Sequence, residues 1–158
     1  MPAAHAPPDD DVAQQTRAIL ARHAGLEGPL LPVLHAVHDA FGHIPRAALP
    51  VIADTLALSR AEVHGVVSFH HDFRDHPAGR RVVRLCRSEA CQAVGAVALA
   101  DHVQARLGIG WGETTPDGAV TLEPVYCLGL CACGPAALVD GTVHGRLTPD
   151  ALDRLVTA

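Results

Sequence analysis

Four of the five cysteines fall into two pairs, Cys86-Arg-Ser-Glu-Ala-Cys91 and Cys127-Leu-Gly-Leu-Cys131. The spacing is C-x4-C, thirty-five intervening residues, then C-x3-C. Each pair follows a stretch that reads as a β-strand, Arg81–Leu85 and Val120–Tyr126. Four thiolates delivered from two strand ends can converge on one inorganic centre, and the rest of the chain is then the holder of that centre.

Other uses of cysteine fit less well. No N-terminal segment combines a basic start, an apolar core and a cleavage site, so the chain is expected in the cytoplasm, where thiols stay reduced. Five cysteines is an odd number for a disulfide framework, and 158 residues supply core enough without staples. Structural zinc usually takes cysteines two to four residues apart on tight knuckles. The x3 pair suits zinc, whereas the x4 pair is at the edge of that range and no C-x2-C occurs. Dithiol redox chemistry wants C-x-x-C, which is absent. A Rieske centre needs His in place of two cysteines, and no Cys-x-His pair occurs. A [2Fe-2S] cluster ligated by Cys86, Cys91, Cys127 and Cys131 is the leading reading. A zinc-stabilised interaction module and a thioredoxin-like thiol enzyme remain as alternatives, which an absorption spectrum separates.

Two ferric ions, two sulfides and four thiolates sum to a dianion, and reduction by one electron makes a trianion. Such a centre needs N–H donors close by. Ser88 is placed to N-cap a helix running to about Leu107, with the positive end of that helix near Cys86 and Cys91. Gly129 and Gly134 bracket the second pair and let the backbone approach closely. With four thiolates already assigned, Cys133 is read as packing or as a contact around the cluster rather than a ligand.

Composition narrows the partners. The formal charge is −5, which argues against nucleic acid. All 12 basic residues are Arg. No apolar run approaches the roughly 18 residues of a membrane span, so a soluble chain without direct membrane contact is expected. The 11 histidines are scattered, and even His70-His71, His76 and the helical His35 and His38 lack carboxylates at ligand spacing. Gly108-Ile-Gly110 lacks the third glycine of a nicotinamide fingerprint and does not sit between a strand and a helix start. No catalytic arrangement stands out, so no catalytic residue is assigned.

Residues 1–11, rich in Pro, Ala and Asp, read as a disordered tail. Four short amphipathic helices follow over 12–70: about Val12–His23, Leu30–Phe41, Ala47–Ala57, and one opened by the capping box Ser59-Arg-Ala-Glu62. Residues 71–80 read as a linker. The pattern then becomes strand, helix and strand over 81–158, with Val94, Val97, Val103 and Leu107 as the buried side of the helix. Gly110–Gly118 reads as a polar loop. Ala137–Val139 and Thr142–His144 flank Asp140-Gly141, a strong hairpin signal, and Thr148-Pro149 starts a last helix. A β-α-β unit followed by a hairpin and a helix is the thioredoxin-like arrangement. The fold class expected is α+β: an N-terminal four-helix bundle followed by a thioredoxin-like α/β domain.

These residues resemble the thioredoxin-like [2Fe-2S] ferredoxins, the family of the 24-kDa subunit of respiratory complex I. Its signature stands here as Cys86, Cys91, Cys127, Cys131, Pro135 and Val139-Asp140-Gly141. Leu30–Leu34, Gly42-His-Ile-Pro45 and Val63–Phe69 carry the resemblance through the helical half. Ser68–Arg74, Leu85–Gln92 and Cys127–Pro135 look most like the gamma subunit of NAD-dependent, molybdenum-containing formate dehydrogenases. Complex I relatives usually lack a cysteine at the place of Cys133. A similar subunit serves NAD-reducing hydrogenases. The resemblance implies a non-catalytic electron-transfer subunit with one [2Fe-2S] cluster. Its expected partners are an FMN- and NAD-binding subunit and a larger subunit carrying the molybdenum cofactor and further iron–sulfur clusters. The helical half, with no chemistry of its own, is expected to serve docking.

Overall fold

The structure is a computed structural model that describes residues 8–157. The chain forms two compact units divided between Pro77 and Ala78. Among the described residues there are seven α-helices, one 3-10 turn and a five-stranded sheet.

The first unit holds α1 (Asp9–His23), α2 (Leu30–Phe41), α3 (Ala48–Leu56) and α4 (Arg60–Phe69). Their apolar stripes meet in one core around Ile19, Leu34, Val37, Ile52 and Val63. Leu30, Phe41, Leu49, Leu56 and Val66 pack at its margin. Thr16, wholly buried, satisfies its hydroxyl on the Val12 carbonyl at 2.7 Å. The capping box at α4 is complete: Glu62 N–H donates to Ser59 Oγ, and Ser59 N–H donates to Glu62 Oε2 at 2.7 Å.

Two expected boundaries move. Of the tail 1–11, residues 1–7 lie outside the described residues, and Asp9, Asp10 and Asp11 form the first turn of α1 rather than preceding it. Three carboxylates at the positive end of a helix, just after Pro8, favour that early start. The expected linker 71–80 is divided between the units. Phe73 is buried in the helical core against His35, His38 and His70, and Ile44 N–H donates to the Arg74 carbonyl at 2.7 Å. Gly79 and Arg80 instead bond to Thr121 and Gly118 of the second unit.

The second unit is built on β1 (Arg81–Cys86), β2 (Glu113–Thr114), β3 (Val120–Val125), β4 (Ala137–Val139) and β5 (Thr142–His144), in the order β2-β3-β1-β4-β5. β1 and β3 are parallel, and the other neighbours are antiparallel. Alternate residues Val83, Leu85, Val120, Leu122, Ala137 and Val139 share a core with α6 (Ala96–Leu107) and α7 (Pro149–Thr157), so both helices lie on one face of the sheet. Arg84 and Glu123, paired in register, join by a 2.8 Å ion pair. The β4–β5 turn residue Asp140 reaches back to accept from Val82 N–H and Arg81 Nε, at 2.8 and 3.1 Å.

The single helix expected from Ser88 to Leu107 is two. α5 (Glu89–Ala93) and α6 are separated by Gly95, whose φ of 101° interrupts the helical path, a torsion that only glycine adopts without cost. The break rotates the buried face to Ala96, Leu99, Ala100 and Val103, and leaves Val94 and Val97 exposed instead of buried. The polar loop Gly110–Gly118 contains β2, which at two residues is too short to alternate visibly. No helix among the described residues is long and apolar enough to cross a membrane.

Candidate iron–sulfur site

Parallel register brings the two cysteine segments to one edge. Cys86 ends β1 opposite Val125, the last residue of β3, and Cys127 follows two positions later. Arg87 N–H donates to the Val125 carbonyl at 2.7 Å, and Cys86 N–H to that of Ala136 at 2.9 Å, which fixes where the first pair leaves the sheet. Cys91 lies in α5, and Cys131 opens a 3-10 turn, Cys131–Cys133.

The pairs differ in setting. Cys86 and Cys91 are buried, in a small core of their own with Ala96 and Ala136, rimmed by Val125, Leu128 and Leu130. Cys127 and Cys131 are exposed, their sulfurs 3.7 Å apart. Gly129 N–H donates to Cys127 Sγ at 3.4 Å. Cys127 has a φ of 101°, rare for a residue with a side chain. All five thiols are free of disulfides.

Thiol chemistry follows from these contacts. Burial pushes the Cys86 thiol up, but hydrogen bonds from Ser88, Cys91 and the Cys127 backbone outweigh it and bring it down to about 7. Cys91 is pushed up by burial and then by the neighbouring Cys86. Cys131 is pushed up chiefly by its contact with Cys127. In the first pair the Cys86 thiolate forms readily and discourages ionisation of Cys91. Cationic iron bound to the thiolates would relieve that repulsion.

The donor set suits a binuclear cluster. Among the described residues no three His, Cys, Asp or Glu side chains gather around one ion-sized point. The cysteines come as pairs, and a [2Fe-2S] cluster takes two thiolates on each iron. Gly134 closes the cradle: a Cβ there would sit 3.3 Å from Cys91 Sγ and 2.9 Å from Val94 Cγ2. The fifth cysteine is held by its backbone. Cys133 N–H donates to the Leu130 carbonyl at 2.8 Å, and its own carbonyl accepts from Arg146 N–H at 2.6 Å.

Sequence reasoning missed two contacts here. Ser88 stands at the N-cap of α5 as expected, but its side chain makes no cap bond and instead touches Cys86 Sγ at 3.3 Å. Arg87 lies over the Trp111 ring, 5.1 Å from its centroid. Neither carries a local signal, because each depends on where the strand and loop meet. Gly108 of the incomplete nicotinamide pattern is the left-handed C-cap of α6.

A strand–helix–strand unit completed by a hairpin and a helix, with thiols gathered beyond its parallel pair, defines a thioredoxin-like fold fitted to hold an inorganic centre. Residues 16–158 match the family described as thioredoxin-like [2Fe-2S] ferredoxin, and the chain belongs to it. The family carries a [2Fe-2S] cluster, and that is the cofactor of this chain. Among curated relatives, a subunit of the NADH-quinone oxidoreductase of Pseudomonas aeruginosa is 37% identical over 128 residues, covering 81% of this chain and 77% of that one. A subunit of an NADH-quinone oxidoreductase of Rhizobium meliloti is 36% identical over 143 residues, with 90% and 85% covered. Among solved structures, a chain of an NAD+-reducing [NiFe]-hydrogenase in the air-oxidized state superposes with a TM-score of 0.69 at 27% identity, over 81% of this chain. This chain spans only 22% of the length of that one.

Proposed function

We propose that Cys86, Cys91, Cys127 and Cys131 ligate the [2Fe-2S] cluster, and that the chain is a one-electron carrier in an NAD-linked oxidoreductase complex, working beside an FMN- and NAD-binding subunit. The observation that carries the ligand assignment is the convergence of the two pairs at one end of the sheet: Cys86 and Cys91 share a small core rimmed by Leu128 and Leu130 of the second segment, and Cys127 lies beside Cys131. The relatives that support the complex are subunits of NADH-quinone oxidoreductases and a chain of an NAD+-reducing hydrogenase. The cluster supplies one-electron storage when bound. The protein's part is to hold it at an exposed edge, keep one pair dry and set the donors around its sulfurs. The helical unit provides surface for assembly.

A finer reading, the gamma subunit of an NAD-dependent formate dehydrogenase with a molybdenum-bearing partner, is supported by the stretches Ser68–Arg74, Leu85–Gln92 and Cys127–Pro135 and by Cys133. Anaerobic purification of the native complex tests both levels. The expected result is a flavoprotein partner and an iron–sulfur EPR signal that NADH induces. Molybdenum in the complex supports the finer reading, whereas nickel or a quinone-reducing assembly replaces it. A chain that purifies without a flavoprotein and accepts no electrons from NADH through one contradicts the proposal.

A further inference from the structure

Ser88 occupies a position where serine ordinarily accepts a helix N–H, and here it does not. Its backbone has the extended N-cap geometry, φ −69° and ψ 156°, yet the hydroxyl is turned to Cys86 Sγ, 3.3 Å away. The placement is held from both sides. Arg87 N–H is bonded to Val125, the Arg87 carbonyl accepts from Gln92 Nε2 at 2.7 Å, and the Ser88 carbonyl accepts from Gln92 N–H at 2.9 Å. Cys86 is 1% exposed, so water does not compete for its sulfur.

As a free thiol, Cys86 can donate or accept in this contact. As a metal-bound thiolate it has no proton and can only accept, so Ser88 must be the donor. A donor on a cluster sulfur stabilises negative charge, and the reduced cluster carries one unit more of it than the oxidised cluster. We infer that Ser88 is a positioning residue that sets the reduction potential of the cluster upward through an O–H···S hydrogen bond to Cys86. The inference rests on the ligand assignment proposed above. It adds to it a specific side chain, separate from the backbone N–H donors, through which this chain adjusts its readiness to accept an electron.

The test compares Ser88→Thr with Ser88→Val in the full-length, cluster-loaded chain, because these two side chains share a shape and differ in the hydroxyl. Iron content and the reduced-state EPR spectrum are measured first, then the redox titration. Ser88→Thr is expected to match the wild type within about twofold in reduced-to-oxidised ratio at a fixed applied potential. Ser88→Val is expected to lower that ratio about three- to tenfold with iron content unchanged; the tenfold limit corresponds to ~59 mV for one electron. Equal potentials in both variants and the wild type, with full iron, overturn the inference and leave the ligand assignment standing. A wild-type chain that holds no iron overturns both. Pulsed EPR of the wild type after deuterium exchange gives a reading that needs no redox titration. The inference expects an exchangeable deuteron coupled to the cluster that disappears in Ser88→Ala, and a spectrum identical in the two contradicts it.

Discussion

Up to Pro77 the chain buries its apolar residues along helix faces, and Leu34, Val37, Ile52 and Val63 lose all contact with water in a core of branched aliphatic side chains. From Ala78 onward the alternating strand residues Val83, Leu85 and Leu122 meet Val103 of α6 and Leu152 of α7 in a comparable core. But the second unit also has an end that aliphatic packing does not complete. There Cys86, Cys91, Ala96 and Ala136 form a separate cluster of small side chains, with Cys127 and Cys131 exposed beside it. Small residues bury little area and so contribute little on their own. The first unit is therefore held mainly by packing, while under the proposed ligation the cysteine end of the second also draws on its cluster.

The sharpest way to break this contrast is to strip the iron with a chelator under reducing conditions. The second unit is expected to lose several kcal/mol, since metal binding to thiolates is itself folding free energy. Amide exchange should quicken over residues 86–91 and 127–137 and stay unchanged over α1–α4. Uniform quickening over both units would erase the distinction. Next in size is Ile52→Ala, which empties a fully buried site and is expected to cost about 2–5 kcal/mol. Denaturant melting should show the helical unit weakened while the visible absorbance of the cluster survives. Loss of the cluster in that variant would mean the units are not separable in this way.

Asp140→Ala comes third. It removes the acceptor for Val82 N–H and for Arg81, and is expected to cost about 1–2 kcal/mol in urea unfolding of the second unit. Ser59→Ala is the smallest, about 1 kcal/mol in the first unit. This cap also carries a pH signature. The Ser59 backbone N–H, then its hydroxyl, hold Glu62 below its ordinary value of 4.5. A depressed carboxyl adds stability above its unfolded value and loses it as pH falls, so the stability difference between wild type and Glu62→Gln should shrink below pH 4.5. A difference that grows on acidification would contradict the capping box as drawn.

The sequence displayed whatever depends on short repeats. α2 runs Leu30–Phe41 as its periodicity requires, the Ser59–Glu62 box is intact, and Asp140-Gly141 turns the hairpin between β4 and β5. What it concealed depends on contacts between distant residues or on single torsions. Gly95 is invisible as a break because Val94 and Val97 continue an apolar pattern that a straight helix would bury. β2 exists only because Glu113 and Thr114 pair with Leu122 and Thr121. Phe73 reads as part of a linker because the rings that close around it come from distant places in the chain, His35 and His38 within α2 and His70 at the end of α4. At the site, the cysteine spacing picked out the two pairs that are proposed as donors. The difference between the dry and the exposed pair, and the diversion of Ser88 to sulfur, required the register of β1 against β3.

Two cysteine pairs, and not Cys133, are proposed to hold the cluster. Iron and acid-labile sulfide counted per chain in five single variants test this directly. Cys86→Ala, Cys91→Ala, Cys127→Ala and Cys131→Ala should each lose most of the iron and the sulfide-to-iron absorbance. Cys133→Ala should keep about two iron and two sulfide per chain, as the wild type does. Full iron in any of the first four, or loss of half or more of it in Cys133→Ala, would contradict the account.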